Sequence, residues 1–375
     1  MKKLLITLAV MLTAAALIVV FCGPAAAKVT GVCSGCHTMH NSQGGDPMAT
    51  GGPLATLLTN DCVGCHSSND SSTTYALGTS TVPVVNFTGG APLKYLAGGN
   101  FYWVADSGGN DDAKGHNVLG ISGVDSLLFA PGGFSECGTT NCHKSLAEEQ
   151  DSIQEFGSGC QGCHLRPAHH ADDSATVIGA ASPSIDGYYR FLSGHATGEN
   201  RGVCGIEDSD WQANYNAGDH NEYLGFSGDK ENASSIYAAF ENLGHTMTAF
   251  CCGCHGSFHV EQSSGEWIRH PSDAVIPNTG EYAEAFGATG GSGGIYDPNV
   301  PVARGIDHGV WTSGTPSPTV NPADGYDMVM CISCHRPHGS PYDDLLRWDY
   351  GNMIAGGGDN ATGCFACHTK KDTGS

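Results

Sequence analysis

The chain of 375 residues has few of the residues that build a conventional core or a basic surface. Aromatic residues make up only 8% of it while glycine occurs 54 times, so a close-packed interior of large side chains is not expected. Lysine and arginine number 16 against 38 acidic residues, a formal charge of −22. This charge argues against nucleic acid and anionic membranes as partners. Beyond residue 27 no apolar run is long enough to span a bilayer.

The first 27 residues predict an export signal. Two lysines at 2–3 precede an apolar run over 4–21, and alanines at 25–27 supply the small residues of a cleavage site. We therefore expect the mature chain in the periplasm, on the outer-membrane surface or outside the cell. Cys22 offers a lipid anchor as the alternative, but the bulky Phe21 before it disfavours lipidation.

Cysteine is abundant and mostly follows one pattern. Six pairs have the form C-x-x-C-H, the signature of c-type haem attachment, in which two thiols bond to the haem and the histidine ligates the iron. A seventh pair, Cys137 and Cys142, has four intervening residues and precedes His143. The regular motifs contain Cys33, Cys36, Cys62, Cys65, Cys160, Cys163, Cys251, Cys254, Cys331, Cys334, Cys364 and Cys367, followed by His37, His66, His164, His255, His335 and His368.

Two alternatives to haem stand beside this interpretation. C-x-x-C pairs also build structural zinc sites, but zinc does not require a histidine directly after the second cysteine, and all seven pairs have one. A plain disulfide is the alternative for the stretched pair. We predict seven covalent haem c groups, each with iron. Outside the motifs, Cys204 and Cys252 could pair in an oxidising compartment or stay reduced, and the sequence does not decide.

The histidines exceed what the motifs use. Of 18, seven directly follow a cysteine pair, which leaves 11 for the opposite faces of the irons. An iron held by two imidazoles has no open position for a substrate and passes electrons only. Methionines near the motifs, Met39, Met247 and Met328, are interpreted as packing residues because histidine is plentiful. The predicted distal ligands are His40, His116, His195, His220, His245, His270 and His338, with His169, His170, His259 and His308 in reserve.

One of these histidines has a geometric meaning. His338 follows His335 by three residues, so both lie on the same side of a helical turn and cannot ligate one iron from opposite faces. We therefore predict that His338 ligates a neighbouring haem, most simply the one at Cys364 and Cys367.

The start of the chain repeats its end. The segment 37–58, which leads into the second motif, has two histidines three residues apart and then a leucine pair. The segment 335–346, which leads into the last motif, has the same order. We expect both segments to have the same structural role.

The expected fold is mostly irregular, with short α-helices that carry the motifs, little β-structure and an interior organised by haem. Further expectations are helices at 145–156 and 233–243, a strand within 79–87 and a linker at 312–322. The predicted segments are the signal at 1–27, the first haem pair and spacer at 28–130, the second pair and spacer at 131–250, a single haem and spacer at 251–325, and the C-terminal doubled unit at 326–375.

Two stretches carry a resemblance. Residues 331–368 look like the doubled C-x-x-C-H unit of multihaem cytochromes, with the core C-H-x-P-H-G-S from Cys334 to Ser340. Residues 31–42 resemble the opening of the filament-forming extracellular cytochromes of metal-reducing bacteria, the cytochrome nanowires. In that family the histidine that matches His40 ligates a haem of the next subunit. The resemblance therefore implies that polymerisation completes one haem per chain.

Together these features predict an exported heptahaem cytochrome that conducts electrons. Its expected partners are redox cytochromes or an extracellular metal or electrode acceptor, and further copies of itself in a homopolymer. The alternative is an oxidoreductase of the nitrite or hydroxylamine type with one open catalytic haem. Nitrite reductases commonly have lysine in place of the motif histidine, and no C-x-x-C-K occurs in this sequence.

Overall fold

The computed structural model describes residues 29, 31–48, 54, 57–105, 112–124, 146–148, 159–164, 189–192, 202–226, 246–252, 255, 270–291, 293–358 and 361–374. Most of them form loops and turns between short helices and strands, as the sequence predicts. Within these ranges every helix is too short or too polar to cross a lipid bilayer. The helix predicted at 233–243 lies outside them, and only 146–148 of the one predicted at 145–156 are described, as a turn.

Short helical turns carry the described parts of the six regular motifs, as predicted. The turn of the second motif begins at Asp61, whose carboxylate accepts a hydrogen bond from the Gly64 N–H at 2.6 Å. The α-helices are α1 (Cys62–His66), α2 (Met247–Cys251), α3 (Val310–Ser313), α4 (Cys331–Cys334) and α5 (Thr369–Thr373). The 3-10 helices are Cys33–Gly35, Phe101–Trp103, Gly159–Gly162, Tyr189–Phe191, Gly280–Gly287, Pro322–Asp324, Asp343–Leu345, Tyr350–Asn352 and Gly363–Ala366.

The strands are short and form one larger sheet and four pairs. They are β1 (Ser42–Gln43), β2 (Asp46–Pro47), β3 (Ser67–Ser68), β4 (Thr74–Leu77), β5 (Ser80–Pro83), β6 (Asn86–Phe87), β7 (Gly205–Ile206), β8 (Glu222–Gly225), β9 (Ala274–Val275), β10 (Gly294–Ile295), β11 (Ala303–Gly305), β12 (Thr319–Val320) and β13 (Asp327–Val329). The five-stranded sheet has the order β7-β8-β11-β13-β9, with β8 and β11 parallel and Arg304 opposite Leu224. The pairs are β1–β2, β3–β6, β4–β5 and β10–β12. Strands β5 and β6 fall within the predicted strand region 79–87.

Three small apolar clusters take the place of a single core in the described residues. The first includes Tyr223, Met247, Met328 and Ile332, with Cys163 and Cys251 packed against it. The second surrounds Tyr296 and includes Ala366, with Cys367 at its edge. The third joins Phe101, Val104 and Val118. Motif sulfurs thus lie at the edges of two clusters. Met247 and Met328 pack as predicted, whereas the same prediction is wrong for Met39, which is 73% exposed.

A buried ionic network holds the sheet together. Arg304 on β11 is fully buried, and its guanidinium contacts Glu222 at 3.0 Å and Asp327 on the neighbouring strands. Burial alone would raise the pKa of Glu222, but the charges of Arg304 and His220 lower it below its usual value. Glu222 therefore stays ionised, and the cation has a buried counter-ion.

The segment 312–322 is a correction to the sequence prediction. Its Pro, Thr and Ser content indicated a linker, yet it contributes to α3 and β12. The Ser317 and Thr319 carbonyls accept hydrogen bonds from Arg304 at 3.0 and 2.9 Å, and the Ser317 N–H donates to Glu222 at 2.7 Å. A buried guanidinium has five N–H donors to satisfy, and this segment supplies two of the acceptors.

Replacement of Arg304 by leucine should lower the free energy of unfolding by about 3–5 kcal/mol, because it leaves Glu222 and Asp327 buried without their cation. A urea titration of the haem-loaded protein, followed by circular dichroism, measures the change. The control Lys94→Gln removes an exposed cation and should change stability by less than about 0.5 kcal/mol. Equal effects of the two substitutions would contradict the importance of the network.

Candidate functional site

Each described attachment motif closes through the same backbone hydrogen bond. The N–H of the motif histidine donates to the carbonyl of the first cysteine, as in His164 to Cys160 at 2.8 Å and His335 to Cys331 at 3.2 Å. Residues separated by three and four positions lie on one face of a helical turn, so both thiols and the imidazole are presented together. The same bond is made by His37, His255 and His368.

Several predicted site residues lie outside the described residues. They are Cys137, Cys142, His143 and Cys254 of the motifs, the predicted distal ligands His195 and His245, and the reserve histidines His169, His170 and His259.

Backbone carbonyls orient the motif histidines. The Nδ1 atom of His335 lies 2.7 Å from the Asp344 carbonyl oxygen, and that of His66 lies 3.0 Å from the Pro83 carbonyl oxygen. A carbonyl only accepts, so Nδ1 is the protonated nitrogen and a neutral ring keeps the Nε2 lone pair available for a metal. Burial lowers the pKa of both His66 and His335, which favours the neutral ring.

Two of these carbonyls belong to residues with strained backbone. Asp344, with φ of +58°, accepts from His335, while Arg190, with φ of +48°, accepts from His164 at 2.7 Å. The left-handed region is unfavourable for residues other than glycine, and such strain concentrates at functional sites. The sequence contains no glycine at these positions, so it did not indicate these two turns.

Three pairs of imidazole rings are neighbours, tilted or edge-on to each other. The ring centroids are 6.0 Å apart for His164 and His338, 6.1 Å for His116 and His255, and 6.3 Å for His270 and His368. Two imidazoles on opposite sides of one metal ion, each bonded at about 2 Å, have centroids roughly 6 Å apart. Each pair combines one motif histidine with one predicted distal histidine.

The position of His338 corrects its predicted destination. Its ring lies opposite His164 of the Cys160 motif, whereas the ring of His368, in the last motif, neighbours His270 and Tyr282. The sequence spacing excluded His335 as the partner but did not reveal which neighbour would be chosen.

Close backbone contacts hold His338 in this position. Its N–H donates to the Gly98 carbonyl at 2.8 Å, and its ring packs on Phe101 at a centroid distance of 4.8 Å. A Cβ atom on Gly98 would lie 3.0 Å from His338 Nδ1. Gly339 has φ of +108°, and a Cβ there would lie 3.0 Å from the Asn100 carbonyl oxygen. Glycine after His338 is therefore required both for conformation and for space.

Carbonyls also orient the distal members of the other two pairs. His116 Nδ1 lies 2.9 Å from the Pro337 carbonyl oxygen, and His270 Nδ1 lies 2.9 Å from the Pro271 carbonyl oxygen. Burial lowers the pKa of His116 and keeps its ring neutral. Pro337 separates His335 from His338, so one loop orients His116 through a carbonyl and presents His338 itself.

His220 is the second correction. It was predicted as a distal ligand, but it is fully buried in the ionic network, with Nε2 3.2 Å from the Glu222 carboxylate and Nδ1 3.3 Å from the Asn216 carbonyl oxygen. Its ring stacks on Tyr296 at 3.6 Å. Both nitrogens thus face protein acceptors, and the ring has no lone pair directed at a metal.

The reserve histidine His308 has the opposite tautomer from a ligand. Its Nδ1 accepts from the Val310 N–H at 3.2 Å, so the proton of the neutral ring lies on Nε2. We interpret His308 as a structural residue at the start of α3.

Neighbouring motifs contact each other through their cysteines. A hydrogen bond joins Cys62 and Cys160 and lowers the pKa of the Cys62 thiol to about 7. A second hydrogen bond joins Cys251 and Cys331. Cys36 lies near Cys65 and contributes to raising its pKa, and Cys364 does the same for Cys334. Cys163 likewise lies near Cys251, so the six regular motifs adjoin one another in chain order.

The predicted repeat is present in three dimensions. His37 pairs with Leu58 in an isolated antiparallel bridge, and His335 pairs with Leu346 in the same way. The leucine that precedes each bridge partner, at 57 and at 345, has φ of +58°. Both units thus fold the chain back onto the attachment turn by the same left-handed residue, as the repeated order of residues predicted.

A cavity adjoins the last motif. It has a volume of about 400 Å³, within the range of small-molecule sites, and lies between the helical segments Gly280–Gly287 and Gly363–Ala366. Phe286 and Phe365 contribute to its lining. Elsewhere, Cys204 carries a free, buried thiol, and burial raises its pKa to about 12.

Comparisons with known proteins agree with this geometry. Residues 323–373 match the family described as the doubled CXXCH motif. The chain is 23% identical over 352 residues to the C-type cytochrome OmcS of Geobacter sulfurreducens, covering 84% of this chain and 78% of that protein.

Two solved structures have the same fold. The first is the outer membrane cytochrome S filament from Geobacter sulfurreducens, with a TM-score of 0.52, 18% identity and 92% of each chain covered. The second is the OmcS nanowire from that organism, studied by cryo-EM, with a TM-score of 0.52, 21% identity and coverage of 88% of this chain and 86% of that one. The predicted fold class and the resemblance to multihaem c-type cytochromes of the nanowire type are confirmed.

The motifs are attachment sites for covalently bound haem c. The residues present fit this group. Where a whole motif is described, both thiols and the imidazole share one helical turn, and at His66, His164 and His335 the carbonyl at Nδ1 leaves Nε2 free of a proton. When bound, haem supplies one-electron iron chemistry. The chain itself attaches the group, orients the histidines and packs Cys163, Cys251 and Cys367 against apolar side chains.

Replacement of Asp344 by valine should lower the free energy of unfolding by about 1–2 kcal/mol, because a β-branched residue resists the left-handed region that aims this carbonyl at His335. Asp344→Gly keeps the carbonyl, relieves the strain and should change stability by less than about 1 kcal/mol. Urea titrations of the haem-loaded variants measure both. The control Asp343→Val lies outside the left-handed region, and equal losses for the two valine variants would contradict a role for this strain.

Proposed function

We propose that the chain is an exported heptahaem c-type cytochrome that conducts electrons through closely spaced low-spin haems with two histidine ligands each. The observation that carries the proposal is the set of three neighbouring imidazole pairs with centroids 6.0–6.3 Å apart. A site that fills both axial positions of its irons has no place for a substrate, and electrons are what it can exchange.

Three ligand sets follow from these pairs: His164 with His338, His255 with His116, and His368 with His270. The stretched motif adds the seventh haem, through Cys137, Cys142 and His143. The other motif histidines are His37, His66, His143 and His335. Their proposed distal ligands are His40, His195, His245 and one of the reserve histidines His169, His170 and His259. His220 is withdrawn from the proposed set because both of its ring nitrogens face protein acceptors.

The haems of the six regular motifs are proposed to follow one another in chain order. The cysteine contacts support this order, because hydrogen bonds join Cys62 to Cys160 and Cys251 to Cys331. A short path between successive irons allows rapid electron transfer without any movement of the protein. Low reduction potentials are expected, since imidazole on both faces of the iron lacks the raising effect of a methionine ligand.

The assembly proposed for the chain is a filament in which His40 ligates a haem of the next subunit. His40 occupies the position in the first repeat that His338 occupies in the second, but it is exposed, whereas His338 faces a histidine of its own chain. The neighbouring side chains of Val32 and Met39 are apolar and are 77% and 73% exposed. Such a patch beside an exposed imidazole suits a contact between copies.

The proposed location is outside the cytoplasm, at the outer-membrane surface or beyond it. The similar proteins are described as an outer membrane cytochrome filament and as nanowires, which supports this location and the homopolymer. The proposed partners are redox cytochromes and an extracellular metal or electrode. The strongly negative charge of the chain favours cationic or basic docking partners.

Replacement of His338 by alanine should leave the haem at Cys160 and Cys163 attached but remove its distal ligand. Low-temperature EPR of the oxidised protein should then show one high-spin haem per chain, with an unchanged total haem content. The control His308→Ala removes a histidine whose Nε2 carries the proton and should leave every haem low-spin.

A second pair of variants identifies the haem concerned. When Cys160 and Cys163 are replaced by alanine in the His338→Ala background, the new high-spin signal should disappear together with its haem. When Cys364 and Cys367 are replaced instead, the signal should persist. The reverse result would return His338 to the last motif and contradict the pairing with His164.

Replacement of His40 by alanine should prevent filament formation, which electron microscopy of the purified protein tests directly. The haem content should stay at seven per chain, because His40 takes no part in attachment. The control Gln43→Ala changes an exposed residue of the same loop and should leave filaments intact. Filaments of His40→Ala protein with seven low-spin haems would exclude the assembly role.

A further inference from the structure

Two buried arginines flank the attachment turn of the fifth regular motif. Arg336 is 5% exposed and Arg347 is 8% exposed. The Arg336 N–H donates to the Leu345 carbonyl at 2.8 Å, and the Arg347 N–H donates to the Cys334 carbonyl at 2.8 Å. The backbone therefore anchors both residues to the turn that carries Cys334.

The contacts of both guanidinium groups are with uncharged groups. Arg336 donates to the Ala97 carbonyl at 3.0 Å and lies over the Tyr95 ring at 4.9 Å, while its Nε–H has no partner. Arg347 donates to the Ile332 carbonyl at 2.6 Å and to that of Ala97 at 3.4 Å. Among the described residues no carboxylate forms an ion pair with either of them.

This arrangement is unfavourable for the polypeptide alone. A buried cation without a counter-ion costs several kcal/mol, and here two share the Ala97 carbonyl. Burial and the neighbouring charge of Arg336 lower the pKa of Arg347 to about 9. The third buried arginine, Arg304, shows the usual solution, because it contacts two carboxylates. An anion that the polypeptide does not supply would complete the pair.

We propose that Arg336 and Arg347 form an anion site that binds a propionate carboxylate of a haem attached to this chain. The site adjoins the backbone of the Cys331–Cys334 turn, and Arg336 directly follows the motif histidine His335. An anion delivered by covalent attachment is present in every mature molecule and need not enter from solvent. Arginine is suited to the task because its planar fork donates two parallel hydrogen bonds to one carboxylate.

The internal repeat provides a comparison within the same chain. Thr38 and Thr59 occupy the corresponding positions in the first unit, where the Thr38 N–H donates to the Leu57 carbonyl and the Thr59 N–H to the Cys36 carbonyl at 2.6 and 2.8 Å. Both threonines are buried and uncharged. The backbone of the repeat therefore does not require arginine. The two cations are specific to the second unit, where they should make the adjacent haem easier to reduce.

The test uses the haem-loaded protein with 13C at the haem propionate carboxyls. In redox-difference infrared spectra, the isotope-sensitive carboxylate bands should move in Arg336→Gln and in Arg347→Gln. One haem should also show at least a tenfold fall in its reduction equilibrium constant, which is about 59 mV for a one-electron couple. The control Lys94→Gln removes an exposed cation near Tyr95 and should change neither reading.

Unmoved labelled bands in variants with full haem content would overturn the proposal and leave the arginines a structural role. Unmoved bands together with potentials that change when chloride is exchanged for phosphate would also overturn it, in favour of a soluble anion. If neither glutamine variant assembles, Arg347→Lys decides, because it keeps the charge and loses the fork; its labelled bands must move. The inference rests on the haem attachment of the proposed function. A haem content other than seven in the wild-type protein would contradict that function by itself.

Discussion

A neutral imidazole can offer Nε2 to a metal only when its proton is held on Nδ1. The chain meets this constraint with backbone carbonyls, from Pro83, Arg190, Pro337 and Asp344 among others. Carbonyls are present at every residue, so the loops that connect the motifs can orient histidines without adding polar side chains. Much of the irregular backbone therefore has a defined role, which is to bring one oxygen to one ring nitrogen.

Few side chains also hold the fold together. Apolar clusters are small, and motif cysteines such as Cys163 and Cys367 pack at their edges. The five-stranded sheet is secured by Arg304 and its two carboxylates, which connect segments distant in sequence. A buried ionic network is a poor source of net stability but is intolerant of alternative pairings. It fits a protein whose remaining interior must accommodate haem.

The attachment chemistry was predictable from the sequence because it depends on contiguous residues, and so were the helical turns, the low β content and the repeat. The pairing of histidines was predictable only in part. Spacing excluded one iron shared by His335 and His338, but the proximity of His338 to His164 depends on how the loop at Gly98 packs. In the sequence His220 could not be distinguished from a ligand. The ionic network that contacts it, Glu222 with Arg304, is assembled partly from distant sequence. The linker prediction failed because backbone carbonyls of this segment bind the buried Arg304, and every residue has a carbonyl.

The two repeat units show how one backbone design can face inward or outward. Both fold back through a left-handed leucine and a bridge to the motif histidine. In the second unit Phe101 packs on the second histidine, His338, and arginines occupy the positions of Thr38 and Thr59. In the first unit the equivalent His40 is exposed and its neighbours are uncharged. Since the attachment geometry is the same, the two units differ in which haem the second histidine can reach. We therefore propose that the covered unit completes a haem of its own chain and that the open unit completes one that arrives with another copy.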